Sequence, residues 1–166
     1  MLKLVLYNDK DMSLVKNLYL SSFPSNERRP FSELFLPYKS NNFFEIYDDD
    51  IFVGIIASLT YNGVTFITYF AIEKDKQNKG YGSMALKKIM DNFDGNIFIA
   101  DLEYCDINDT QSLKYKRKKF YEKNGFYKTE IEYKWKNVRY QIFSTDKNYS
   151  EVMFDKFWDS YSDERE

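Results

Sequence analysis

The 166-residue chain contains no histidine, a single cysteine (Cys105), three prolines and six glycines. Without histidine, acid–base chemistry near neutral pH falls to carboxylates, tyrosine, lysine, the lone thiol or water, and zinc sites of the usual His/Cys type are excluded. Serine–histidine hydrolysis and histidine phosphotransfer are excluded with them. One cysteine forms no internal disulfide and no cysteine-based metal cluster, which suits a reducing compartment. No window approaches the roughly 18 apolar residues of a membrane span. The N-terminus, Met1-Leu-Lys-Leu-Val-Leu-Tyr-Asn8, lacks a long apolar core and a cleavage site, so the expectation is a cytoplasmic protein with no membrane partner.

What is present is aromatic and charged. Fifteen Tyr, fifteen Phe and two Trp accompany 43% hydrophobic and 30% charged residues, the balance of a globular chain. The length suits one domain with a sizeable core. A net charge of −2 gives no basic field to recruit nucleic acid, which disfavours a nucleic-acid role for the local basic run Lys114–Lys123. A small molecule or a cationic group is the expected partner.

Periodicity divides the chain into alternating elements. Leu2–Tyr7 reads as a first strand, and Met12–Ser22 as a helix with Leu14, Val15, Leu18 and Tyr19 on its apolar side and Asp11 as its cap. A short second helix is expected over Phe31–Tyr38, introduced by Pro30. Phe43–Tyr47 and Ile51–Leu59 flank the acidic turn Asp48-Asp49-Asp50 as a hairpin, and Asn62-Gly63 turns into a strand ending at Ile72. Then follow helix Tyr81–Phe93, strand Ile97–Glu103, helix Ser112–Lys123, and strands Phe126–Lys136 and Val138–Phe143. Residues 148–161 carry an amphipathic stripe of Val152, Met153, Phe154, Phe157, Trp158 and Tyr161, read as a helix packed on its own domain or as the arm of a homodimer.

The most informative segment is Ile72-Glu-Lys-Asp-Lys-Gln-Asn-Lys-Gly-Tyr-Gly-Ser83, between the strand and the helix that follows it. Gly80 and Gly82 let the backbone take positive φ and approach a ligand, while the N–H groups opening the helix favour an anion. A Walker loop fails here, because a single residue separates the glycines and Ser83 follows directly. A dinucleotide fingerprint fits loosely, with Ala85 in place of its third glycine and Glu103 near the distance of its acid. The third reading is Gln77-x-x-Gly80-x-Gly82. A second segment, Phe120-Tyr-Glu-Lys-Asn-Gly-Phe126, ends a helix with Gly125 at its C′ position.

Gln-x-x-Gly-x-Gly followed by Tyr-Glu-x-x-Gly-Phe resembles the GNAT superfamily of N-acetyltransferases, in motif order over about residues 2–143. The resemblance implies an α/β (α+β) fold with a mixed, mostly antiparallel sheet flanked by helices, residues 1–146 forming the acetyltransferase domain and 147–166 a helical extension of it. In that fold the strand before the loop and the strand after the helix run parallel and splay apart to admit the coenzyme. It implies acetyl-CoA as co-substrate, no metal, and a primary amine on a small molecule or protein as acceptor. The coenzyme residues it implies are Phe70, Ala71 and Ile72, with a backbone N–H freed by a bulge facing the oxyanion, and Gln77, Asn78, Lys79, Gly80, Tyr81, Gly82 and Ser83. Lys76, Lys79 and the cluster Lys114 to Lys119 are further candidates for phosphate contact. Lys114 replaces an asparagine common in the family.

Tyr121 stands where the resemblance implies a proton donor to the leaving thiolate, the alternative being that it only packs beside Phe120 and Phe126. Phe23-Pro-Ser-Asn-Glu-Arg-Arg-Pro30 and Leu102-Glu103 resemble segments of one bacterial branch, which makes Glu27 and Glu103 candidates for base or amine binding. The structural alternatives are a solvated turn for Glu27 and a pair with Arg117 for Glu103. The activity expected is direct transfer in a ternary complex without an acyl-Cys105 intermediate. The alternative is a coenzyme A-binding module without catalysis.

Overall fold

A computed structural model describes residues 1–166. Seven strands, β1 (Leu2–Leu6), β2 (Asn41–Asp48), β3 (Ile51–Tyr61), β4 (Val64–Ile72), β5 (Ile97–Glu103), β6 (Tyr127–Trp135) and β7 (Val138–Ser144), lie in the order β1-β2-β3-β4-β5-β7-β6. Four helices accompany them: α1 (Met12–Ser22), α2 (Tyr81–Asn92), α3 (Leu113–Lys123) and α4 (Glu151–Arg165). The mixed, mostly antiparallel sheet with flanking helices is the GNAT arrangement that the sequence implied. The chain forms two compact units, Met1–Thr60 with Ile67–Asp94, and Tyr61–Phe66 with Gly95–Glu166.

In the first unit β1 pairs antiparallel with β2, Leu4 opposite Ile46, and β2 with β3, Phe44 opposite Ile56. Helix α1 buries Val15, Leu18 and Tyr19 at i, i+3 and i+4, while Leu14, expected on this face, is 44% exposed. These residues form one core with Phe23, Phe43, Phe52, Ile55, Tyr69 and Ala71. Helix α2 lies against β1 and buries Ala85, Leu86 and Ile89.

Two expectations fail here for identifiable reasons. The helix expected over Phe31–Tyr38 is a single 3-10 turn, Phe31–Phe35, because Pro37 drives Leu36 to an extended backbone (φ −57°, ψ 139°). Asp11 occupies the N-cap position of α1 but makes no side-chain capping bond. Its carboxylate accepts from the Tyr47 hydroxyl instead.

That hydroxyl also faces Glu45 Oε2 at 2.8 Å. A phenol has one proton, so it serves one of the two carboxylates at a time. Glu45 is 1% exposed, and its Oε1 has no partner. Burial pushes its carboxyl up from the ordinary value of 4.5, opposed by the bond to Tyr47 and assisted by the charges of Asp11 and Asp9, with Lys10 acting the other way.

A carboxyl whose folded-state value is raised binds its proton more tightly folded than unfolded. It therefore adds most to stability below pH 4.5 and loses that contribution as pH rises through the folded value. Glu45→Gln keeps the shape and removes the titration. Urea denaturation from pH 4 to 9 should show the variant gaining on the wild type as pH rises, then levelling; a difference independent of pH would refute a protonated Glu45.

β3 carries a bulge at Val53, where the register against β2 steps from Ile46–Gly54 to Tyr47–Phe52. Beside it, a Cβ built on Gly54 would lie 2.4 Å from the Ala71 carbonyl oxygen and 3.2 Å from Ile72 Cα. β4 thus passes against bare backbone. Gly54→Ala should destabilise the protein by about 1–3 kcal/mol or more, the range of core overpacking, measured by denaturant unfolding. A neutral substitution would mean that β4 shifts freely.

In the second unit β5 pairs with β7 and β7 with β6, both antiparallel. Ser112 caps α3 by accepting from the Tyr115 N–H, and Ser150 caps α4 through Met153. Helix α4 buries Phe154 and Phe157, and the Phe66 ring meets Phe157 at 5.8 Å and Trp158 at 6.0 Å. Of the stripe read from the sequence, Phe154, Phe157 and Trp158 thus pack within their own unit, while Val152 is exposed.

Candidate active site

β4 ends at Ile72 and the chain turns away, Glu73 donating its N–H to the Val53 carbonyl at 2.8 Å. A short 3-10 turn, Lys74–Lys76, leads to Asn78 (φ 62°) and Gly80 (φ 86°), both left-handed. Helix α2 begins at Tyr81, and its first intrahelical bond runs from Met84 N–H to the Gly80 carbonyl at 3.1 Å. The N–H groups of the first turn therefore point out of the helix end, the geometry that receives an anion. A Cβ at Gly80 would meet nothing within 4 Å, so the backbone there borders open space. The left-handed glycine is Gly80, whereas Gly82 is helical and needs no special dihedral.

Side chains of this segment divide their tasks. The Gln77 amide Nε2 donates to the Ile72 carbonyl at 3.0 Å, closing the turn onto the strand it leaves. Lys76 pairs with its neighbour Asp75 at 3.3 Å. Asn78 and Lys79 stand exposed, and the Tyr81 hydroxyl reaches Asp48. Phe70, Ala71 and Ile72 end the strand, with Ala71 buried.

Glu27 lies on the link between α1 and the 3-10 turn, which two phenols hold to the core. Tyr69 donates to the Glu27 carbonyl at 3.0 Å and accepts from the Arg29 N–H at 3.1 Å, while Tyr19 donates to the Arg29 carbonyl at 2.7 Å. Both rings are buried and meet edge to face at 5.1 Å. The backbone of Glu27 is thus fixed on the residue preceding Phe70. Sequence reasoning missed this role of Tyr69, since a buried strand tyrosine carries no mark of where its hydroxyl points.

The other two candidates belong to the second unit. Glu103 ends β5 and pairs with Lys114 at 3.0 Å, not with Arg117, so the lysine that replaces the family's asparagine is engaged by the candidate base. Tyr121 is 6% exposed on α3, its ring edge to face with Phe120 (5.3 Å) and Phe126 (5.1 Å). Burial pushes its phenol well above the usual range, with the positive charge of Arg117 opposing and Asp101 adding to the rise. The helix end explains the motif. Gly125 (φ 89°) is left-handed, Gly125 N–H bonds to the Glu122 carbonyl at 3.2 Å, and Phe126 N–H bonds to the Tyr121 carbonyl at 3.1 Å. This is a Schellman cap with Tyr121 and Phe126 as its hydrophobic pair.

The sequence profile of the acetyltransferase (GNAT) domain matches residues 39–128, more than half of the chain, and the protein belongs to this family. A GNAT-family protein from Bacteroides thetaiotaomicron superposes with a TM-score of 0.76 at 18% identity, over 94% of this chain and 92% of its own. A Bacillus subtilis acetyltransferase in complex with CoA gives 0.64 at 15% identity, over 88% and 99% of the two chains. Arabidopsis thaliana Naa50, in complex with the bisubstrate analogue CoA-Ac-MVNAL, gives 0.64 at 20% identity over 87% and 98%. No curated protein matches the sequence. No helix is long and apolar enough to cross a membrane.

Because Gly82 is helical, a side chain there leaves the backbone unstrained, so a substitution tests the proposed phosphate approach separately from the fold. Gly82→Val should keep its far-UV spectrum and lose coenzyme A binding by calorimetry. Wild-type affinity in the folded variant would remove this turn from the coenzyme site.

Proposed function

We propose that the protein is an acetyl-CoA-dependent N-acetyltransferase of the cytoplasm that acetylates a primary amine by direct attack within a ternary complex. The observation that carries this reading is the left-handed Gly80 turn opening α2, an anion cradle at the segment the GNAT profile covers. The open space beside Gly80 and the outward N–H groups of α2 support a pyrophosphate there. Relatives bound to CoA support the same assignment.

Acetyl-CoA supplies the activated acetyl thioester. The chain supplies hydrogen-bond donors from the Phe70–Ile72 backbone to the carbonyl oxygen as negative charge develops on it. Glu27 or Glu103, directly or through water, takes the proton that the amine sheds as its nitrogen bonds to the acetyl carbon. As the carbon–sulfur bond breaks, Tyr121 gives its proton to the departing sulfur. A buried phenol whose pKa is raised stays protonated at every physiological pH, so the donor is always loaded. The same burial makes it a reluctant acid, which the basicity of a desolvated thiolate offsets. No step uses Cys105, whose Sγ rests 3.4 Å from the Asp106 carbonyl oxygen.

Tyr121→Phe preserves the ring pair of the Schellman cap and deletes the proton. Single-turnover acetyl transfer to an amine found by thiol-release screening should fall by about 10²–10⁴-fold, with melting temperature and coenzyme affinity little changed. An unchanged single-turnover rate would leave Tyr121 a packing residue and the thiolate protonated by water.

A further inference from the structure

Two side-chain bonds bracket the Gly80 turn. At its entry Gln77 Nε2 holds the Ile72 carbonyl at 3.0 Å, and at its exit the Tyr81 hydroxyl donates to Asp48 Oδ2 at 2.6 Å. Asp48 is the last residue of β2, placed opposite Ile51 across the hairpin and opposite Leu2 of β1. Its position is therefore set by two strand ladders on consecutive sides. Tyr81 is the first residue of α2, flanked by Gly80 and Gly82.

Those glycines give the segment the freedom to approach a ligand, and the same freedom costs entropy each time the turn is ordered. A tether on the residue between them restricts that freedom before the ligand arrives. The bond is charge-assisted, a phenol donating to a carboxylate, and therefore stronger than a neutral pair. The tyrosine lowers the Asp48 carboxyl, with the chain's amino group, 3.2 Å from Oδ1, adding to the effect.

We propose that Asp48 and Tyr81 are positioning residues for the coenzyme, the Asp48 carboxylate holding the Tyr81 hydroxyl so that the first-turn N–H groups of α2 are ordered before pyrophosphate binds. The inference rests on the reading of this turn as the coenzyme site. Its side-chain chemistry is separate from it: Tyr81 meets the coenzyme through its backbone, and its phenol faces the β2–β3 hairpin. Asp48 enters the function from a strand end that carries no coenzyme motif.

A double-mutant cycle on coenzyme A binding tests the pair, with calorimetry on wild type, Tyr81→Phe, Asp48→Ala and the double variant. Tyr81→Phe should raise the Kd for coenzyme A by about three- to tenfold, the range of one hydrogen bond. The double variant should bind no more weakly than the weaker single variant, because the second change removes a bond already lost. Asp48→Ala also removes a negative charge near the phosphate site; that effect is the same in both tyrosine backgrounds and cancels in the coupling. Asp48→Asn, whose amide oxygen still accepts from the phenol, should restore most of the affinity lost in Asp48→Ala.

A bond that only stabilised the fold would move the melting temperature and leave the Kd of the folded variants unchanged, and that result overturns the proposal. Additive losses in the cycle overturn it as well. A wild-type protein that binds no coenzyme A overturns both this inference and the reading beneath it. A wild type that binds while Tyr81→Phe binds equally well overturns the inference alone.

Discussion

The contact on which the turn into α2 depends is one made without a side chain. Where β4 ends, the Ala71 carbonyl passes over Gly54, and any Cβ there would sit inside backbone contact distance. The neighbouring bulge at Val53 sharpens the local twist of β3 and turns the Val53 carbonyl to the Glu73 N–H. That bond is the last before the chain leaves the strand. The 3-10 turn, the left-handed Asn78 and Gly80, and the axis of α2 all follow from the direction set there. The proposed anion cradle is thus aimed by packing in β3, while its own residues supply only shape and donors.

The Tyr121–Phe126 motif shows how one short sequence meets two demands. A Schellman cap requires a left-handed residue at C′, met by Gly125, and favours an apolar pair between C3 and C″, met by Tyr121 and Phe126. Those are the fixed positions of the motif apart from Glu122. Its spacing is therefore explained by helix termination alone, and packing is a true description of Tyr121. What the cap does not require is the hydroxyl, since phenylalanine would pair as well. The hydroxyl proton is the part of the motif on which the proposed acid role rests.

How much of this was legible in the sequence follows from the range of each signal. Local signals read correctly: the glycine-bearing turn into α2, the Asn62-Gly63 turn with φ 49° and 80°, and the capped end of α3 each depend on a few adjacent residues. The 3-10 turn reads as a longer helix when Pro30 alone sets its start, because the stop lies in Pro37, which holds Leu36 extended. Asp11 read as a cap because capping is local, whereas its actual partner, Tyr47, comes from another strand. Glu103 was given the wrong basic partner on α3 for the same reason, since helix rotation decides whether Lys114 or Arg117 reaches it. The Tyr69 bonds and the Gly54 contact need strand register, which no single-segment pattern contains.

Phenols carry much of the polar structure in this histidine-free chain. Tyr69 and Tyr19 hold the link bearing Glu27, Tyr47 joins β2 to the start of α1, Tyr81 joins α2 to the hairpin, and Tyr133 donates to Asp101 of β5. A phenol suits this work because it offers one donor and two acceptor sites at the end of a rigid apolar ring. Burial raises Tyr19, Tyr47 and Tyr121 further above neutrality, and brings Tyr7 up to about 12. None of these tyrosines ionises in the range where an amine or a carboxyl titrates. These phenols therefore stay loaded as donors as pH rises, and the buried Glu45, raised, and Asp48, lowered, are carboxyls through which the first unit's fold responds to protons.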